Sequence, residues 1–150
     1  MQSGMCIQIR RLPYHENSEI LAQIRQTVFV QEQGVPVDLE MDGRELESTH
    51  FLAFIKSRND NPETVLGSAR LLPTGQIGRM AVLAEFRGRG IGYKLLQHAT
   101  NYGFSHGFPH LFLHAQRHAQ HFYEKAGYVA RGDVFLEAGI EHIEMFKSKT

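Results

Sequence analysis

Residues 76–92 read Gln-Ile-Gly-Arg-Met-Ala-Val-Leu-Ala-Glu-Phe-Arg-Gly-Arg-Gly-Ile-Gly, and they constrain the fold more tightly than any other stretch. An apolar strand over 76–83 runs into Arg87-Gly88-Arg89-Gly90-Ile91-Gly92, and an amphipathic segment begins at once at Ile91. A strand, a glycine-rich turn and a helix N-terminus make an anion-binding device. The first-turn N–H groups of a helix have no partner within it, and the helix dipole favours negative charge there. Glycines let consecutive amides converge without Cβ clashes. Arg87 and Arg89 add guanidinium groups able to reach the same anion. The segment therefore predicts a phosphorylated ligand.

Two common nucleotide motifs fit poorly. A phosphate-binding loop of the Gly-Lys-Ser/Thr type needs a hydroxyl for magnesium, but Gly92 is followed by Tyr93 and Lys94. A dinucleotide fingerprint starting at Gly88 wants a small residue at Tyr93. It also wants an acidic residue about 20 positions on, where Gly107-Phe108-Pro109 stands.

The pattern Arg87-x-x-Gly90-x-Gly92 instead resembles the Arg/Gln-x-x-Gly-x-Gly/Ala signature of the Gcn5-related N-acetyltransferases (GNAT), whose loop cradles the pyrophosphate of coenzyme A. A second stretch strengthens the likeness. After the apolar run 111–116 come His118-Ala119-Gln120-His121-Phe122-Tyr123-Glu124-Lys125-Ala126-Gly127-Tyr128. This is similar to the family's strand followed by Asn-x-x-Ala-x-x-x-Tyr-x-x-x-Gly-Phe/Tyr. Ala119, Tyr123, Gly127 and Tyr128 fall on the pattern, and Gln116 replaces the usual Asn. The resemblance spans residues 76–128. Residues 28–36, with 40–43 and 48–50, further resemble an ElaA-like bacterial subgroup.

Composition agrees with a single small enzyme domain over 1–150. No Pro/Ser-rich linker, internal repeat or low-complexity tract divides the 150 residues. Sixteen basic and sixteen acidic side chains balance, which argues against a nucleic-acid footprint or a membrane surface. The single cysteine, Cys6, cannot form an internal disulfide and suits a reducing compartment. No apolar run approaches the ~20 residues of a membrane span, so a cytoplasmic protein, monomeric or homodimeric, is the expectation.

Periodicity gives α/β order. Residues 6–12 alternate as a half-buried strand does. Asn17 or Ser18 can cap a helix carrying Ile20, Leu21, Ile24 and Val28 on one face. Strands are expected over 51–55 and 65–72, with a turn-rich connection at 57–62. A helix over 91–106 places Ile91, Leu95, Ala99 and Tyr102 on one stripe, and Gly107 can end it. A strand over 111–115, a helix around Tyr123 and a last strand pair, 128–131 and 143–146 around a long loop, complete the chain. The unit 76–115 demands a parallel pair with a right-handed crossover. The resemblance implies a GNAT-like α/β (α+β) fold: a mixed, mostly antiparallel sheet, a central parallel pair splayed for coenzyme A, and helices on both faces.

The resemblance also assigns roles. Acetyl-coenzyme A is the implied cosubstrate, and a primary amine of a small molecule or peptide the implied acceptor. Arg87, Gly88, Arg89, Gly90, Ile91 and Gly92 would hold the pyrophosphate, with Gln116, Ala119 and Tyr123 also bordering the cofactor. Backbone groups of Met80, Ala81 and Val82 would pair with the pantetheine arm as an added strand does. An N–H of Met80 or Val82 could bind the developing oxyanion. Tyr123 would protonate the departing thiolate, a nearly balanced transfer at intrinsic pKa values of about 10 and 8.5.

The base that takes the amine proton has three candidates. Glu40 lies in the acidic stretch 38–47, which could attract a cationic amine or form an ordinary solvated face. His114 ends the strand beside the expected thioester, with its direction set by an unfixed register. Glu32 is the third. His110, His114, His118 and His121 do not make a metal set, because no Cys or acid in the segment completes it. A noncatalytic acyl-coenzyme A-binding module is the alternative to an enzyme.

Overall fold

In the computed structural model, residues 7–12, 14–35, 43–44, 46–55 and 64–149 are described. Cys6, Glu40 with most of the acidic stretch, and the 57–62 connection lie outside these residues. Strands β1 (Ile7–Leu12), β2 (Thr49–Ile55), β3 (Thr64–Leu71) and β4 (Ile77–Val82) form an antiparallel sheet in sequence order. Strands β5 (His110–Gln116), β6 (Val129–Glu137) and β7 (Ile140–Ser148) form a second antiparallel sheet, ordered β5-β7-β6. Helices α1 (Tyr14–Arg25), α2 (Ile91–Ser105) and α3 (Gln120–Lys125) complete the framework.

The sheets meet through β4 and β5, which run parallel but share a single bridge, Gln76 with Phe112. There the Phe112 N–H donates to the Gly75 carbonyl at 3.0 Å. Beyond that bridge the strands are not paired, so the expected parallel pair is present but splayed.

Two apolar clusters hold the layers together. Ile91, Leu95, Leu96 and Ala99 of α2 pack with Phe51, Leu66, Ile77, Leu111 and Met145 of both sheets, all at most 2% exposed. Leu21 and Ile24 of α1, with Val28 just beyond, pack with Leu52 and Ala81 in a separate cluster. Each buried Leu or Ile of this kind is worth about 2–5 kcal/mol against truncation to Ala. Ile20, expected on the buried face, is 37% exposed. Helix α1 begins at Tyr14, so positions 17 and 18, expected at its start, lie inside it.

Three local departures from the sequence expectation shape the region between the sheets. Residues Gln26–Glu32 form a π-helical turn where a continuous α-helix was expected. Thr27, Val28 and Val30 are β-branched and crowd a regular helix, and the wider turn is closed by Gln33 N–H donating to Val28 O at 3.2 Å. Second, Ser68 pairs with Ala81 and Arg70 with Gly78, so Arg79 and Met80 together oppose the single Ala69. This is a β-bulge, and Arg79 sits in the left-handed region at φ 48°. Third, the last two strands are joined not by a long loop but by the tight turn Ala138-Gly139, both at positive φ (52° and 77°). The Arg131-Gly132-Asp133 sequence, which reads as a turn, instead lies in a bulge where residues 132–134 oppose Ile143.

Candidate active site

The splay between β4 and β5 opens a cleft of about 510 Å³. One wall comes from Ile77, Gly78, Arg79 and Met80 of β4, the other from Leu113, His114 and Gln116 of β5. In a regular strand every second residue would turn away, and the Arg79–Met80 bulge is what brings four consecutive positions to the cleft. Phe29, Gln33 and Val35 close it from the π-helical side, Ala119 and Tyr123 from α3, and Glu137, Ala138, Ile140 and His142 from the β6–β7 hairpin. Gln33 and Gln116 hydrogen-bond across it at 3.1 Å. Of the three β4 residues expected beside the pantetheine arm, Met80 alone lines the cleft. Ala81 is buried under α1, and the Val82 carbonyl accepts a hydrogen bond from Arg87 Nε at 2.8 Å.

The glycine turn lies beyond the carboxyl end of β4, where ligands of open α/β sheets gather. Gly88 (φ 80°) and Gly90 (φ 78°) are both left-handed, a conformation that costs other L-residues about 1–2 kcal/mol. Gly90 is the N-cap of α2 and no side chain caps that end, so the Ile91, Gly92 and Tyr93 amides keep their donor capacity. The first carbonyl to receive a helical bond is that of Gly90, from Lys94 N–H at 3.1 Å. Gly92 packs against its neighbours: a Cβ there would stand 3.6 Å from Phe122 and 3.8 Å from Val82. This geometry fits a pyrophosphate.

The two arginines of the turn both have partners within the chain. Arg87 forms a bidentate pair with Glu32, at 3.0 and 2.8 Å, besides its bond to Val82 O. That pairing ties the end of the π-helical turn to the glycine loop and occupies Glu32, one of the three base candidates. Arg89 lies over the Phe86 ring at 5.8 Å.

Tyr123 sits on α3 at the cleft. Its carbonyl accepts the Tyr128 N–H at 3.1 Å, and the buried Tyr128 hydroxyl is bonded to Thr100 at 2.7 Å. The motif residue Tyr128 thus anchors the end of α3 to α2 and fixes where Tyr123 stands. Burial, with the neighbouring Tyr128 adding to it, pushes the Tyr123 hydroxyl up to about 12. The balance expected from intrinsic pKa values is therefore displaced: Tyr123 is neutral at every physiological pH. It can donate a hydrogen bond to a forming thiolate, but it does not give up its proton ahead of bond cleavage.

The β5 register, undetermined in the sequence, places Leu111, Leu113 and Ala115 in the core and alternates His114 away from it. The His114 Nδ1 lies 2.9 Å from Glu137 Oε1, and its Nε2 lies 3.9 Å from Glu144 Oε1. The hydrogen bond to Glu137 raises the His114 pKa against the opposing effect of burial, and lowers that of Glu137 in return. Sequence reasoning missed Glu137. Only the tight Ala138-Gly139 turn and the bulge before it bring this side chain opposite His114, and both are products of pairing rather than of local pattern.

The described part of the acidic stretch brings a cation, not an acid, to the cleft. Arg44 lines it and pairs with Glu47 at 2.7 Å. Arg70 and Arg79 also line it, and among the described lining residues Glu137 is the one carboxylate. His118 and His121 are engaged locally, with Gln116 Oε1 at 2.7 Å and Glu124 Oε1 at 3.5 Å.

Comparison with known proteins gives consistent results. Residues 22–149 match the family described as Acetyltransferase (GNAT) domain. The Bacillus subtilis (strain 168) protein YjcF, described as an uncharacterized N-acetyltransferase, is 37% identical over 128 residues, 83% of this chain and 87% of that protein. The crystal structure of an acyl-CoA N-acyltransferase from Pseudomonas aeruginosa superposes with a TM-score of 0.81 at 29% identity, covering 95% of this chain and 100% of that one. Escherichia coli ElaA superposes with a TM-score of 0.80 at 29% identity, covering 94% and 99%.

Proposed function

This chain belongs to the GNAT acetyltransferase family and is an acyltransferase, and from that premise we propose that it moves an acetyl group from acetyl-coenzyme A to a primary amine by direct attack in a ternary complex. The observation that carries the reading is the splay of β4 from β5, which joins a glycine-lined helix N-terminus to a cleft bordered by Tyr123 and His114.

In this proposal the amides after Gly90 and the turn from Arg87 to Gly92 hold the pyrophosphate. The pantetheine arm lies along the unpaired edge of β4 beside Met80 and runs towards Gln116 and Ala119. Acetyl-coenzyme A supplies an already activated thioester, so no covalent enzyme intermediate is needed. The bulge at Arg79–Met80 interrupts the regular ladder at the cleft, and in this reading the Met80 N–H binds the developing oxyanion. Tyr123 donates its hydrogen bond to the leaving sulfur as the C–S bond lengthens. An amine with a pKa near 10 arrives protonated, and His114, whose imidazole borders the cleft, takes that proton. Glu32 is committed to Arg87, which favours His114 over it. The acceptor is a small-molecule amine or a peptide, and residues 1–150 act as one domain in the cytoplasm.

Incubation of the protein with acetyl-coenzyme A and a panel of amines and peptides tests the reading. Release of free thiol matched one-to-one by a 42 Da gain on one acceptor is the expected result; thiol release with no acetylated product would refute it.

A further inference from the structure

We propose that Glu137 is the positioning residue for His114: its carboxylate holds the Nδ1 proton of the imidazole and leaves Nε2 to accept the proton of the acceptor ammonium. The inference rests on the acetyl-transfer reading above and adds to it a residue outside both sequence motifs.

The geometry sets the tautomer. An ionised carboxylate can only accept, so the 2.9 Å contact requires a proton on Nδ1 and leaves the lone pair on Nε2. Glu137 is held in place by its own strand: it pairs with Ile140 across the Ala138-Gly139 turn, and that turn forms part of the cleft wall. The ring is held as well, with Phe135 packed edge-on at 5.1 Å. When Nε2 gains its proton, the imidazolium stands between two carboxylates, Glu137 at 2.9 Å and Glu144 at 3.9 Å. Glu144, from β7, is itself held by Arg131 of β6. Two further groups face Glu137. His142 of β7 has Nε2 3.9 Å from Glu137 Oε2, and Arg79 of β4 interacts with the Glu137 charge from across the cleft. Both affect the Glu137 carboxyl less than the His114 hydrogen bond does, so the His114–Glu137 contact dominates. Tyr123 of α3 faces the same cleft and stays neutral.

The proton balance closes with these groups alone. The acceptor R–NH3+ gives one proton to Nε2 and becomes R–NH2. Its lone pair forms the C–N bond to the acetyl carbonyl while the C–S bond breaks. The sulfur leaves with the Tyr123 proton, and the second N–H proton of the acceptor restores Tyr123. The imidazolium then returns its proton to water.

The test is the pH dependence of kcat/KM for the acceptor at saturating acetyl-coenzyme A, measured beside an NMR titration of the His114 ring. Glu137→Gln keeps a hydrogen-bond acceptor but removes the charge. It should move the acid limb of the profile, and the NMR midpoint of His114, down by about half to one pH unit. It should also lower the plateau about tenfold, with the KM for acetyl-coenzyme A unchanged. Glu144→Gln, farther away and shared with Arg131, should move the limb less. A Glu137→Gln profile that drops in height with limb and midpoint unmoved means a purely structural role and overturns the proposal. If His114→Gln keeps the acid limb, the base is elsewhere and the proposal fails while acetyl transfer stands. If no amine is acetylated, the reaction that the pair serves is absent and both readings fail.

Discussion

Gly90 and Gly92 stand two residues apart in the same turn, yet substitution to Ala should have different consequences. Gly90 is at φ 78° with nothing within 4 Å of an added Cβ, so its only obstacle is conformational. An L-residue held there costs about 1–2 kcal/mol. The protein can meet that cost in two ways. It can keep the turn and lose the whole amount in stability, or it can let the backbone relax, which turns the Ile91 and Gly92 amides out of convergence and moves the loss to ligand binding. The two losses together cannot exceed the strain, so affinity for acetyl-coenzyme A falls at most about 5- to 30-fold, the equivalent of 1–2 kcal/mol. Gly92 has no such conformation, and its added Cβ would make ordinary contacts at 3.6 and 3.8 Å. Gly92→Ala should therefore leave affinity unchanged, and stability unchanged or slightly raised, because Ala is the better helix former. Urea denaturation and calorimetric titration of both variants measure the two quantities separately. Equal losses in Gly90→Ala and Gly92→Ala, or a Gly90→Ala protein unchanged in both, would refute the argument that backbone conformation at residue 90 builds the turn.

Three further outcomes follow from the same geometry. Tyr123→Phe should lower turnover at least tenfold with little change in the KM for acetyl-coenzyme A, and wild-type rates should show no loss from tyrosine ionisation up to about pH 10, since burial holds that hydroxyl near 12; unchanged turnover in steady-state assays would remove Tyr123 from the chemistry. The raised His114 pKa gives stability that is full below its unfolded value near 6.5 and is lost as pH rises through the folded value, while the lowered Glu137 pKa gives stability that is lost as pH falls below about 4.5. Both contributions coexist near pH 5.5, so His114→Gln should lower the melting temperature about 1–2 °C more at pH 5.5 than at pH 8.5, a small effect because Glu137 is half exposed; a larger deficit at pH 8.5 would contradict the assigned signs. Finally, a Cβ on Gly67 would stand 2.4 Å from the Ala81 carbonyl oxygen, so Gly67→Ala should force β3 from β4 and cost more than about 2 kcal/mol in chemical denaturation.

What could be read from the sequence was what local pattern determines. The strand, turn and helix from 76 to 105 follow from glycine placement and apolar spacing, and the structure has β4, left-handed Gly88 and Gly90, and α2 beginning at Ile91. The Tyr123 helix ends by Gly127 (φ 92°) for the same local reason. What escaped was set by pairing across the sheets. Whether His114 faces the core or the cleft depends on its register with Glu144, and no pattern within β5 states it. Glu137 reaches His114 through a turn whose first residue is Ala138, a poor residue for positive φ, while the more turn-like Gly132-Asp133 is spent on a bulge. The Arg79–Met80 bulge brings adjacent residues to one cleft, against the alternation that a strand pattern assumes. The pairing of Arg87 with Glu32, 55 residues away, is likewise a tertiary contact that no local pattern states.

Everything proposed for the chemistry depends on the glycine turn and the β4–β5 splay receiving acetyl-coenzyme A. Calorimetric titration of the folded protein with acetyl-coenzyme A, with ATP and NAD as controls, addresses it most directly. Selective one-to-one binding is expected, lost or strongly weakened in Gly90→Glu, where a carboxylate would meet the phosphates at the helix N-terminus. Absence of binding by a protein shown to be folded, or equal binding by Gly90→Glu, would contradict it.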